Sequence, residues 1–254
     1  MKQIYSRYLT VVIILALSVG FGACSSDDDE NDDKNESQIE DILYGKYVTA
    51  DVEKTISKLG VTINRGINPP NIEGYYLLFP WCIGSTYSND PKLNSTQFYD
   101  HPIHLYNQSG LKIDLISYEM GITLTNAVKH VGEGAFICGE GNKFSVLFEE
   151  INTVKKEGKT YTQKVLTIFS GEVVRNEKGK ISKIKDFKYV FFVKDNGGSP
   201  NSLPNNTGRL FIPDKNNRSL PPISKEYFDK QADKFNSISS KALRIDSKSY
   251  LSDL

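Results

Sequence analysis

Residues 144–149, Phe144-Ser145-Val146-Leu147-Phe148-Glu149, decide the fold. Phe144, Val146 and Phe148 alternate with Ser145, Leu147 and Glu149, the period of two by which a β-strand sends successive side chains to opposite faces. Gly141-Asn142-Lys143 ahead of the stretch is a tight-turn signal, and Lys155-Lys156-Glu157-Gly158-Lys159 behind it is another. The pattern repeats outward in both directions. Downstream, residues 161–174 set Leu166, Ile168 and Ser170 against Val165, Thr167 and Phe169. The hairpin turn Asn176-Glu177-Lys178-Gly179 leads into residues 181–193, where Phe187, Tyr189, Phe191 and Val193 share a face. Residues 208–212, closed by Pro213-Asp214, are the last strand candidate. Upstream candidates are residues 75–79, 98–105, 111–118, 120–128 and 134–138, with 106–110 a hairpin turn ending in Gly110. Within 111–118, Ile113, Leu115 and Ser117 alternate with Lys112, Asp114 and Ile116, so one face is more polar.

Strands joined in sequence order by short polar turns form an antiparallel meander. Strands this long leave exposed edges in an open sheet, and closure into an up-and-down β-barrel removes them. The chain is therefore expected to be all-β, mainly an antiparallel meander closed as a barrel, with a two-sheet β-sandwich as the alternative. A short N-terminal helix is expected over residues 50–59. Thr49 or Asp51 can cap it, Val52, Ile56 and Leu59 fall on one face, and Gly60 stops it. Pro69-Pro70 forbids helix or central strand in the lead-in that follows. A C-terminal amphipathic helix is expected over residues 224–240, capped by Ser224, with Phe228, Ala232, Phe235 and Ile238 packing on the outside of the sheet.

The N-terminus reads as an export signal. Lys2 and Arg7 precede the apolar run 9–19, which is shorter than the roughly 20 residues a membrane span needs. Phe21-Gly22-Ala23-Cys24 then matches a lipobox, apart from Phe21 where Leu is usual. Residues 1–23 are thus expected to be a lipoprotein signal peptide and Cys24 the site of lipid attachment, making the membrane the first partner. Residues 24–41 carry nine acidic residues and one basic residue, and are expected to form a disordered acidic tether. Residues 42–254, long enough for one good core, are expected to form a single domain. The formal charge of zero hides this split: from residue 42 onward 28 Lys and Arg face 22 Asp and Glu. No basic helix stands out in that excess, so nucleic acid is not an expected partner. Cys82 and Cys138 are the remaining cysteines. Export permits a disulfide between them, and two buried thiols fit their apolar flanks equally well.

Three segments carry a resemblance: Asn68-Pro69-Pro70-Asn71-Ile72-Glu73-Gly74, the glycine-rich run 134–144, and Leu210-Phe211 with Asp214. Together with Gly74-Tyr75-Tyr76 after a short helix, they resemble surface lipoproteins of Bacteroidota that carry a lipocalin-like (calycin-like) domain. The acidic run after Cys24 is similar to the export signal of such surface lipoproteins. The resemblance implies a barrel over about residues 60–220 and an outer-membrane, surface-exposed address in the cell envelope. It brings no catalytic residues. The lipocalin Gly-x-Trp signature is absent, since Tyr76 stands at the third position.

No enzyme signature emerges. His101-Pro102-Ile103-His104 beside Asp100 has the composition of a metal site, but strand residues three apart point to opposite faces. These histidines and His130 are expected at the surface or in turns, and neither metal nor cofactor is expected. Gly132-Glu133-Gly134 and Gly139-Glu140-Gly141 lack the following helix that a phosphate cradle needs, and read as easing the bend of a coiled strand. Glu149-Glu150 are adjacent in a strand and diverge, so they form no glycosidase pair. What remains is aromatic abundance, 14 Tyr and 13 Phe. The expected function is carriage of a small hydrophobic or amphipathic ligand inside the barrel, with Trp81, Tyr87 and Tyr99 as aromatic contacts. The alternative is a glycan- or protein-binding module at the cell surface.

Overall fold

The alternating stretch around Phe148 lies in the middle strand of one antiparallel sheet that takes in every strand of the described residues. The computed structural model describes residues 29–94, 100–119, 128–156, 159–200 and 202–237. Two helices, α1 (Asp29–Tyr47) and α2 (Ala50–Lys58), precede nine strands. These are β1 (Gly74–Leu78), β2 (Trp81–Ser85), β3 (His101–Ser109), β4 (Lys112–Glu119), β5 (Val128–Glu140), β6 (Lys143–Lys156), β7 (Lys159–Arg175), β8 (Ile181–Asp195) and β9 (Thr207–Ile212). A third helix, α3, follows over residues 225–237. The sheet order is β1-β3-β4-β5-β6-β7-β8-β9-β2, with every pair antiparallel.

This order shows why the sheet curls. β1 and β2 occupy opposite edges, yet Leu78 and Trp81 are three residues apart, and three extended residues reach no more than about 11 Å. The two edges are therefore held together by the chain itself. Pro80, which has no N–H to offer a ladder, sits in that link. The barrel-like, all-β meander is as expected, and a single continuous sheet replaces the two of a sandwich.

One apolar cluster draws on every strand from one edge to the other, including Tyr76, Leu78, Cys82, Ile103, Leu115, Ile137, Phe144, Phe148, Phe169, Phe187 and Phe211. Only the concave face of a curled sheet brings all its strands into mutual contact, so this is the interior. A second cluster covers the convex face: Val52, Ile56, Val61 and Ile63 pack on Phe136, Cys138, Leu147, Leu166, Ile168, Val190 and Phe192. Leu147 and Phe148, neighbours in sequence, belong to opposite clusters, as the period of two requires. α3 covers the convex face elsewhere, placing Phe228 and Phe235 against Tyr118, Tyr75 and Ile116. Its stripe packs as expected; Ile238 lies outside the described residues.

Three expectations are corrected and one open alternative is decided. The acidic segment is helical from Asp29, not disordered to residue 41. Its last turns are tied to the body, because Arg65 donates to Glu40 and Asp41 and lies 4.2 Å over the Tyr44 ring. Of the two readings left open for the cysteines, the structure has the buried thiols: Cys82 and Cys138 are both free and buried, one on the concave face and the other on the convex face. β2 was not expected, and it is short and interrupted by an irregularity between Cys82 and Gly84. The turn at 106–110 is tighter than read, since β3 runs on to Ser109 with a bulge after Tyr106.

The glycines of β5 do ease its bend. Gly134, at φ 61°, sits where the β4–β5 register slips, and Gly139 passes so close to β6 that a Cβ would lie 2.2 Å from the Lys143 carbonyl oxygen.

Candidate functional site

Inward positions of the sheet are not uniform. Towards the turns at Gly110, Gly141 and Gly179 they hold Tyr76, Ile113, Phe144 and Phe187, all fully buried. Towards the opposite end, in the same phase, they hold His101, Ser117, Glu119, His130, Glu150, Thr167 and Tyr189. The register assembles this set. Ile103 pairs with Ser117, which places His101 opposite Glu119, and Ser117 pairs in turn with His130. Cross-strand partners on one face lie about 4.5–5.5 Å apart, so three strands deliver two imidazoles and a carboxylate to one spot.

The polar groups form a chain. His130 Nδ1 lies 2.9 Å from Glu150 Oε1, and Thr167 Oγ1 donates to Glu150 Oε2 at 3.2 Å. On the other side of the ring, His130 Nε2 is 3.7 Å from Glu119 Oε2, and His101 Nε2 is 3.8 Å from that same oxygen. These two nitrogens are buried and have no hydrogen-bond partner. Burial pushes the His130 imidazole towards its neutral form, but the Glu119 and Glu150 carboxylates outweigh it and hold the group up to about 9. Burial likewise opposes ionisation of Glu119, and the two histidines overcome it, holding the carboxyl well below its ordinary range. Burial and the same two carboxylates push the Tyr189 phenol well above its ordinary value, so it stays protonated.

A cavity of about 160 Å³ opens onto this cluster. His101, Glu119 and His130 form its polar end, and Tyr189, Phe191 and Phe211 its apolar wall. The Tyr189 and Phe211 rings stack at 5.0 Å, which stiffens that wall. Arg209 borders the cavity and is fixed by Asp90, with Nε to Oδ2 at 2.7 Å and Nη2 to Oδ1 at 2.8 Å. Burial raises the Asp90 carboxyl, but the bonds from Arg209 and the Lys92 backbone N–H outweigh it and hold Asp90 at about 2.

No family model matches the chain, and no curated protein or solved structure matches it either. The site therefore rests on its own geometry.

The structure brings together residues that linear spacing kept apart. His101 and His130 are not at the surface or in turns, as expected, but buried in the barrel, 6.0 Å apart between ring centroids. His104 is separated from His101 as the strand argument required: it faces outward, stacked between Tyr75 at 4.1 Å and Tyr106 at 4.7 Å. Trp81 is half-buried at the start of β2 under Lys215 Nζ, 5.5 Å from the ring centroid, and is not on the cavity wall. Tyr87 lies half-buried in the β2–β3 connection and does not reach the cavity either. Tyr99 and Cys24 lie outside the described residues. Glu149 and Glu150 diverge as read, Glu149 pairing outward with Lys194 while Glu150 points in.

A signal for the missed cluster was present. His101 is in phase with Ile103 and Leu105, Glu119 with Ile113 and Leu115, and Glu150 with Phe144, Val146 and Phe148. A titratable residue continuing the phase of a buried apolar face marks an interior site.

Proposed function

We propose that this chain is a lipid-anchored lipoprotein of the cell envelope, held at the outer membrane through Cys24 and exposed at the cell surface. Its barrel binds a small amphipathic ligand without transforming it. The single observation that supports binding is the cavity itself, with aromatic rings on one side and His101, Glu119 and His130 on the other. Pockets of that make-up, mostly apolar with a few convergent polar groups, are the usual form of a small-molecule site. Its size sets the ligand: about 160 Å³ is close to the engineered cavities of about 150 Å³ that accept a single benzene ring. A ring or short chain carrying one polar group fits, and a tetrapyrrole or a two-chain lipid does not. The anchor is supported by the apolar run, the small residues before Cys24 and the acidic segment after it.

Native mass spectrometry of the protein purified from its own host tests the binding. A retained small molecule, lost on denaturation and in Phe191→Trp, which narrows the cavity, is expected. Identical native and denatured chain masses would contradict the reading. Cys24→Ala is expected to move the protein out of the membrane fraction.

A further inference from the structure

The polar end of the cavity has an unsettled electrostatic balance. With Glu150 ionised, the hydrogen bond at 2.9 Å makes His130 Nδ1 the donor. His130 Nε2 then faces Glu119 Oε2 at 3.7 Å, and in the charged imidazole that the two carboxylates favour it carries a proton, which a metal ion would displace. His101 Nε2 faces the same oxygen at 3.8 Å. These separations are too long for hydrogen bonds, yet both histidines are more than nine-tenths buried and their Nε2 atoms have no other partner. Two buried imidazole nitrogens with no hydrogen-bond partner thus converge on one carboxylate oxygen, an arrangement in which one cation can replace the protons.

We propose that His101 Nε2, His130 Nε2 and Glu119 Oε2 form a binding site for one divalent zinc-class ion, with Glu150 as the positioning residue behind His130. The inference goes beyond the proposed ligand binding: it shares that cavity's polar residues and makes no use of the aromatic wall. Two imidazoles and one carboxylate are one of the three-ligand sets that zinc takes when its fourth position stays open, and here all three residues line the cavity. The second side of His130 fits the role as well. Metal-bound histidines give their other N–H to a carboxylate, which fixes the tautomer and turns the lone pair to the ion, as Glu150 does here with Thr167 holding its second oxygen.

The donors stand slightly open. No three His, Cys, Asp or Glu among the described residues are set close enough to share an ion as they stand. Zinc about 2.0–2.1 Å from each donor holds them about 3.3 Å apart in a tetrahedron, so the two gaps to Glu119 Oε2 must each close by about half an ångström. Glu119, whose side chain is 27 % exposed against 8 % and 10 % for the histidines, is the group with room to move. Nitrogen and oxygen donors of this kind also accept cobalt, nickel and copper, and the order of affinities puts copper first.

The test is isothermal titration of the metal-stripped full chain with zinc chloride at neutral pH, with cobalt chloride as a spectroscopic probe. One zinc per chain is expected, together with the visible absorption of a four-coordinate cobalt site. Glu119→Gln, which keeps the side-chain shape, is expected to weaken binding at least tenfold. Glu150→Gln should weaken it about 10- to 100-fold. His104→Ala, on the other face, is expected to bind as the natural chain does. Circular dichroism of each stripped variant separates lost binding from lost folding. Absence of stoichiometric zinc in the folded natural chain would overturn the proposal, as would full-affinity binding by folded Glu119→Gln and Glu150→Gln alike. Such a result leaves retention of an organic ligand, read by mass spectrometry, standing on its own.

Discussion

The two ends of the barrel interior share strands, phase and curvature, and differ in what fills them. At one end Tyr76, Ile113, Phe144 and Phe187 interdigitate in the most buried part of the core. At the other the same inward positions carry His101, Glu119, His130 and Glu150 beside a cavity of about 160 Å³. The first arrangement is what stability alone favours. Close-packed apolar side chains gain burial and dispersion without desolvating a charge, whereas a buried ionic cluster is often no more stable than an apolar replacement. The end of the core that gives up this gain and keeps a void is the one on which the proposed binding rests.

Substitutions should break the comparison in order of size. Phe144 is completely buried at the filled end, so Phe144→Ala should cost about 4 kcal/mol in denaturant unfolding, the transfer term plus a new cavity. At the polar end, Glu150→Leu should cost about 3 kcal/mol, because it strands His130 between a lost partner and Glu119. The double variant His130→Leu/Glu150→Leu should recover to within about 1 kcal/mol of the natural chain, since it removes the charge along with its partner. A double variant as unstable as the single one would show the cluster to be a structural requirement.

A smaller effect belongs to the rim. Asp90 is held at about 2, below its ordinary 3.8, so the unfolded chain takes up its proton first as pH falls. The stability it contributes, about 2 kcal/mol, is present in full above roughly pH 5 and is lost as pH falls through about 4 to 2. Asp90→Asn should therefore lower stability at neutral pH and flatten this acid limb, with the two unfolding curves meeting near pH 2. Curves that stay parallel would place the effect elsewhere.

Sequence reading recovered what is local. The alternation of Phe144, Val146 and Phe148 and of Phe187 and Tyr189 fixed strand faces, because the period of two needs only neighbouring residues. The C-terminal stripe of Phe228 and Phe235 was legible for the same reason with the helical period. What escaped depends on register. Ser117 meets His130, and His101 meets Glu119, only because particular hairpin lengths and bulges align three strands. β2 escaped because five residues containing a glycine and flanked by proline carry almost no pattern, and pairing with the distant β9 makes them a strand. The acidic segment's last turns are held by Arg65, about twenty-five residues further on, and by Tyr44 and Tyr47 packing on the sheet, contacts which no local window contains.

The central claim is that one end of this interior is filled and the other is a ligand cavity. Crystallography under xenon pressure tests it most directly, since dry apolar cavities of this size take up xenon. The account predicts density for xenon against Tyr189, Phe191 and Phe211, and none among Tyr76, Ile113, Phe144 and Phe187. A crystal in which the side chains of Phe191 and Phe211 close the space, leaving no xenon at either end, would contradict it.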